Sequence, residues 1–249
     1  MPIPDNGGKY MCIISIKLDT ARKWTFEEIA DMMEKNPDGA GYMYFDRVAN
    51  NVKIEKGFFS PTKAFNYLKK LPDNTPIIFH ARIATHGKVT QGNCHPFPLY
   101  LLNTEGYIQE KDLLKARQSV SVGLAHNGIL KISPEGGLSD TGTFCKYVNN
   151  HFDIAQLPYL LELLEGSDIL NGSRLAILDS NGKVYKFGKW YESNGLFYSN
   201  WQYPDRWKDI QGFNKYPVYV RTETGGKVRR DYDDEMWDYP AYYKGLWDD

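Results

Sequence analysis

Apolar and polar positions along this chain fall into short blocks whose period switches between two and nearly four, the pattern of strands and helices in turn. Met11 to Leu18 is an apolar, β-branched run and reads as a strand. Thr25-Phe26-Glu27-Glu28 is a capping box, and Phe26, Ile29, Met32 and Met33 follow at helical spacing, so a helix is expected to about Lys35. Asn36 to Gly41, rich in turn formers, stops it. Tyr42 to Phe45 and Val52 to Phe59 then pair as a hairpin, and Ser60-Pro61 caps a second helix reaching Leu71, with Pro preset for a first helical position. Pro76 to Phe79 is a short buried strand, and Val120 to Leu124 is another apolar run. Ser139-Asp140-Thr141 opens a helix carrying Phe144, Cys145, Tyr147 and Val148, and a further helix covers Leu157 to Leu164. Arg174 to Leu178 and Lys183 to Phe187 form a hairpin around Asp179-Ser180-Asn181-Gly182. Residues 98 to 119 pattern poorly. A turn at Thr104 to Tyr107 and a short charged helix from Lys111 to Arg117 are expected there, in an insertion that is either a lid or a solvated loop.

Composition narrows the class. A chain of 249 residues, 42% hydrophobic, can bury the core of one large α+β domain, or of one domain with an extension. The formal charge of -1 argues against bulk electrostatic binding to nucleic acid or an anionic membrane. No apolar run is long enough to span a membrane, and the first residues lack the basic and hydrophobic regions of a secretory signal, so a cytoplasmic protein is expected. The three cysteines, Cys12, Cys94 and Cys145, follow no metal-ligand spacing, which speaks against a disulfide framework or a zinc site. Past Trp190 the composition shifts to Trp and Tyr among Asp, Asn and Pro. Asp231 to Tyr239 suits partner docking, and Lys227-Val228-Arg229-Arg230 reads as a solvated charge cluster rather than a nucleic-acid site.

The chemistry gathers at the ends of apolar runs. Ile77 to Phe79 leads into His80-Ala81-Arg82-Ile83-Ala84-Thr85-His86-Gly87, followed by Asn93-Cys94-His95-Pro96. Val120 to Leu124 leads into Ala125-His126-Asn127-Gly128, and Ser139-Asp140-Thr141 begins a helix. A strand that delivers an Arg and two His into a polar turn is odd as core, because unpaired buried charge is costly and such groups usually face a ligand. Three such turns point to one site.

With Cys12 and Pro37-Asp38-Gly39-Ala40-Gly41-Tyr42 ahead of them, these motifs occur in an order and rough spacing that resembles class II glutamine amidotransferase domains, glutaminases of the N-terminal-nucleophile hydrolase superfamily. The resemblance covers roughly residues 11 to 190, and Gly195 to Asn200 continues it faintly. It implies a four-layer α/β/β/α sandwich over residues 12 to 190, with a leader of residues 1 to 11 and an aromatic, acidic extension from 191 to 249. It implies that Cys12 is the nucleophile, that Asn127 and Gly128 form an oxyanion hole, and that Arg82, Thr85, His86 and Asp140 bind L-glutamine, Arg82 through its α-carboxylate and Asp140 through its α-ammonium group. His80, His95 and Cys94 read as structural. No metal or organic cofactor is implied, and the released ammonia would pass to a synthase on a separate chain.

Two features depart from that pattern. Residues precede Cys12, so its nitrogen is an amide and not the basic amine the chemistry uses; the leader is cleaved, or translation starts at Met11, or the amine is lacking. Removal is the expectation adopted. Gly142 stands where the family often carries Glu. A hydrolase of another amide on the same fold, and a non-catalytic glutamine-binding or interaction protein, remain the alternatives.

Overall fold

A computed structural model describes residues 12–83, 89–102, 107–165 and 172–200, together with the backbone of two later strands. It is a mixed α/β structure built on a curled antiparallel sheet. In chain order the elements are β1 (Ile13–Lys17), α1 (Phe26–Lys35), β2 (Ala40–Asp46), β3 (Asn51–Phe58), α2 (Pro61–Leu68), β4 (Ile77–Ala81) and β5 (Phe97–Leu101). These are followed by α3 (Glu110–Leu113), β6 (Arg117–Asn127), α4 (Asp140–His151), a 3-10 turn at Ile154–Gln156, α5 (Leu157–Glu165), β7 (Arg174–Asp179), β8 (Val184–Phe187), β9 (Tyr191–Ser193) and β10 (Leu196–Tyr198). The strands join in the order β8-β7-β6-β3-β2-β4-β1-β10-β9, and β5 pairs with β6.

The local signals act as expected. Thr25 Oγ1 accepts from Glu28 N while Glu28 Oε2 accepts from Thr25 N, closing the capping box of α1. Ser60 and Ser139 cap α2 and α4 in the same way, each hydroxyl accepting a backbone N–H three residues on.

The long strand β6 curls the sheet. Val120 lies opposite both Val52 and Leu101, and Val122 opposite both Asp179 and Tyr100. β3 and β7 therefore follow one another along one edge of β6, and β5 takes the other edge. Val120 and Ala125, five residues apart and so on opposite faces of a regular strand, both enter one apolar cluster with Ile14, Ile16, Met43 and Ile78. The face switches where the β5 register is irregular, which is how a bulged pair bends a sheet. On the far side of β5 to β8, α4 and α5 bury Phe144, Val148, Leu157, Leu160 and Leu164 against Phe97, Leu124 and Ile177. α1 and α2 meet through Phe26 and Phe65, and Trp24, just before α1, donates Nε1–H to Ser15 of β1 at 2.8 Å. Each large aliphatic side chain wholly removed from water contributes about 1.5–3 kcal/mol, whereas exposed pairs such as Arg47–Asp19 contribute about 0–1 kcal/mol. The apolar clusters therefore dominate the stability.

Residues 98 to 119 are not an irregular insertion. They hold most of β5, the short α3 and the start of β6; Lys111 to Arg117 is not a helix, since α3 ends at Leu113 and Arg117 is already the first residue of β6. Lys56 explains how this stretch is held down. Its ammonium is buried beneath it, donating to Gly92 O at 2.7 Å and Leu113 O at 2.9 Å, 4.1 Å from the centre of the Phe97 ring. Burial pushes its pKa down to about 7. The composition boundary at Trp190 also falls inside the sheet, because β10 pairs with β1 and β9 with β10.

The chain divides into two compact units, Met1–Arg206 and Trp207–Asp249. In the second, Val218–Arg221 (β11) and Lys227–Arg230 (β12) pair as an antiparallel hairpin. The basic run is thus a strand. The expected docking segment Asp231 to Tyr239 lies outside the described residues. Among the described residues no helix is long and apolar enough to cross a membrane.

Candidate active site

Cys12 stands at the head of β1, half-buried, with its thiol set against the backbone of one residue, Ile83. Sγ donates to Ile83 O and accepts from Ile83 N, each at 3.3 Å. Burial raises the thiol pKa above its ordinary value, while the Ile83 N–H and the neighbouring Arg82 charge draw it back in part. The resting sulfur is therefore a neutral thiol that needs a base to become a nucleophile.

Arg82 follows directly after β4, which is why a strand of Ile and Phe ends in a guanidinium. The residue is 4% exposed. Its backbone clasps the Pro37 to Gly41 turn: Arg82 N donates to Gly39 O at 2.8 Å, and Asp38 N donates to Arg82 O at 3.0 Å. Gly41 lets this turn close on its neighbours, since a Cβ there would lie 2.3 Å from His95 O and 2.6 Å from Lys56 Cβ.

Asn127 ends β6, buried. Its Nδ2 donates to Ser199 Oγ at 2.8 Å and to Asn200 Oδ1 at 3.2 Å, and Asn200 Nδ2 in turn donates to the Cys12 carbonyl at 2.9 Å. The Asn127 Oδ1 is buried without a partner. Gly128 follows at φ 143°, a backbone region that side chains disfavour, with Ser173 Oγ 2.2 Å from where a Cβ would stand.

Asp140 is the first residue of α4. Ser139 does cap the helix as expected, but this does not leave the Asp140 carboxylate empty. Oδ2 accepts from Leu130 N at 2.9 Å and Oδ1 from Thr141 N at 2.8 Å, so the carboxylate ties the loop after Gly128 to α4. Gly142, where the family often has Glu, sits in a packed position: a Cβ would come within 3.2 Å of Leu138 and 3.3 Å of Phe97. A side chain there would require Leu138 and Phe97 to give by a few tenths of an ångström.

Behind the site His80, His95 and His126 form a buried stack, with ring centroids 4.4 Å apart for His80–His95 and 6.4 Å for His95–His126. His80 Nε2 donates to His126 O at 3.1 Å, and His126 N donates to His95 Nδ1 at 3.2 Å. The two rings thus grip both sides of the residue before Asn127, the turn-holding role expected of His80 and His95. Burial lowers the pKa of all three, to about 3 for His80 and about 4 for His126, with His95 well below the ordinary imidazole value. These are poor bases for catalysis at neutral pH. Unfolded, each imidazole binds a proton near its ordinary pKa; folded, none does until about pH 4 or lower. Between those limits the unfolded chain holds more protons, so stability present at neutral pH is lost as the pH falls, at about 1.4 kcal/mol per pH unit for each imidazole. We expect the urea midpoint to drop sharply between about pH 7 and about pH 5; an unchanged midpoint would show that the stack accepts protons in place.

The structure brings Cys12, Arg82 and Asn127 together at the ends of β1, β4 and β6, with Gly128 next in the chain; Asp140, at the start of α4, is tied to the loop after Gly128 through Leu130. Thr85 and His86 lie outside the described residues. Ser199 and Asn200 close the stretch in which the resemblance continues faintly, but no role was read for them from sequence, although a polar pair closing the apolar run Leu196 to Tyr198 repeats the signal that marked the other turns. Cys94 is buried packing, and among the described residues no group of three or more His, Cys, Asp or Glu is placed to hold a metal ion.

No protein-family model matches this chain, and no curated protein matches it. Among solved structures, it is similar to glutamine phosphoribosylpyrophosphate amidotransferase from B. subtilis, complexed with ADP and GMP. The identity is 18% and the TM-score 0.44, with 88% of this chain and 49% of that chain covered. The chain spans about half the length of that protein.

Proposed function

We propose that this chain is a glutaminase of the class II amidotransferase type, with the layered α/β/β/α arrangement of N-terminal-nucleophile hydrolases. The observation that carries the reading is that Cys12 and Asn127, 115 positions apart by their numbers, are held by one side chain, Asn200, with Arg82 beside the thiol. The motifs that resemble the family thus converge.

In the proposed reaction the α-amine of Cys12, freed by loss of the preceding residues, takes the thiol proton as Sγ attacks the side-chain carbonyl carbon of L-glutamine. The oxygen becomes negative and accepts from Asn127 Nδ2 and Gly128 N–H, donors that act mainly in the transition state. The proton passes to the leaving nitrogen, ammonia departs, and a thioester remains. Water then adds to the thioester, glutamate leaves and the thiol is restored. Arg82 grips the substrate α-carboxylate and Asp140 its α-ammonium, a pairing that favours a free amino acid over other amides. Thr85 and His86 complete the pocket. The orphaned Asn127 Oδ1 supports the reading too: an unpaired buried acceptor costs about 1–3 kcal/mol, and a donor brought by substrate or by the freed amine would recover it. The ammonia goes to a separate acceptor enzyme.

The test compares two forms, the chain starting at Met1 and one translated from Met11 so that methionine removal exposes Cys12. The second is expected to release glutamate and ammonia and to take one adduct of diazo-oxo-norleucine by intact mass; the first is expected to do neither. Inactivity of both, with no adduct, would sink the glutaminase reading in favour of a non-catalytic binding protein.

A further inference from the structure

We infer that Asn200 is a positioning residue, setting the main chain of the nucleophile and the amide of the oxyanion donor with one side chain; this rests on the roles proposed above for Cys12 and Asn127. The strand ladder places it there. β10 pairs with β1 in the register Ser15↔Tyr198, and one step on the ladder continues in altered form. Ser199 N donates to Ile14 O at 2.9 Å, but Ile14 N donates to the Ser199 hydroxyl, also at 2.9 Å, in place of a backbone carbonyl. A side chain thus stands in for the backbone at the end of the ladder, and Asn200 reaches the head of β1.

One acceptor fixes both amides. The Cys12 carbonyl can only accept, so Asn200 must present Nδ2 to it, which turns Oδ1 toward Asn127. Asn127 must then present its own Nδ2. Its two N–H groups go to Ser199 Oγ at 2.8 Å and to Asn200 Oδ1 at 3.2 Å. The second bond is the longer and weaker of the two, and it is the one a developing oxyanion can take over. Asn200 holds the donor in the resting site and yields one N–H as charge forms, while its grip on the Cys12 carbonyl keeps the sulfur in line.

Removing this side chain should act on turnover rather than on affinity. In the form translated from Met11, Asn200→Ala is expected to lower kcat for glutamine about ten- to a hundred-fold with KM within about two-fold. A second readout needs no turnover: the pH dependence of iodoacetamide alkylation at Cys12 in the full chain, mapped by mass so that Cys94 and Cys145 are counted apart. Asn200→Asp puts a carboxylate beside the Cys12 backbone and should move the alkylation midpoint up by about one pH unit, a shift that Asn200→Ala does not produce. A residue that merely supports the fold would lower the unfolding midpoint and leave the profile in place. Unmoved alkylation, unchanged kcat, or loss of cooperative unfolding in every Asn200 variant each overturns the inference. If the wild-type form translated from Met11 fails to turn over glutamine but the profile moves in Asn200→Asp, the glutaminase reading falls and the positioning role stands. If glutamine is hydrolysed and the variants match wild type, the reverse holds.

Discussion

Cys12→Ala is expected to abolish glutamine hydrolysis, by about a thousand-fold or more, and to leave no residue that takes the diazo-oxo-norleucine adduct. The fold should survive, because the half-buried thiol contributes two sulfur hydrogen bonds to the backbone of one residue, Ile83, at 3.3 Å each. Their loss costs about 1 kcal/mol, little beside the apolar clusters. Cys12→Ser separates geometry from reactivity: the hydroxyl can keep the Ile83 contacts yet is a far weaker nucleophile, so it should fold like wild type and remain nearly inactive. The decisive measurement is ammonia release together with intact mass. An adduct that persists in Cys12→Ala would assign the reactive group elsewhere.

Gly128→Ala is expected to damage both stability and turnover. At φ 143° an L side chain is strained, at a cost of about 1–3 kcal/mol. The new methyl would also meet Ser173 Oγ at 2.2 Å and Ser173 Cα at 2.9 Å, backbone that cannot swing aside as a flexible side-chain tip can. Ser173 must move, and with it the bond it donates to Ile129 O. Altogether a destabilisation of about 2–4 kcal/mol follows, read from denaturant unfolding. Because the Gly128 N–H is half of the proposed oxyanion hole, kcat should fall a further hundred- to thousand-fold. A variant with wild-type stability and kcat would show that the loop relaxes freely and that its N–H is not a catalytic donor.

The sequence signals that carried furthest were local ones. Capping at Thr25, Ser60 and Ser139, and the turns between β2 and β3 and between β7 and β8, depend on residues within a few positions of one another, and the structure has them where the pattern put them. The stretch that misled was β5. Pro98 breaks its alternation, and a Pro is tolerated there because, among the described residues, β5 pairs with β6 alone, which leaves its other edge free of a ladder that would need the missing N–H. The composition break at Trp190 misled for a different reason: aromatic content says nothing of which strand closes a sheet, and β10 is only three residues long. Among the residues proposed for the site, Arg82, Asn127 and Gly128 stood out because each follows an apolar run, whereas Cys12, at the head of one, was read only from the resemblance. The attachment of Asp140 to Leu130 was not, since a helix-start Asp looks the same whether its carboxylate caps, binds a ligand or anchors a loop.

The pairing of β10 with β1 also bears on how the protein matures. Cys12 and Asn200 are separated by 188 positions, so the nucleophile emerges from the ribosome long before the side chain that seats it. Contacts of such long range close late in folding. On the proposed mechanism a nascent chain thus carries the thiol before Asn200 is in place, and competence for chemistry switches on only when β10 docks on β1.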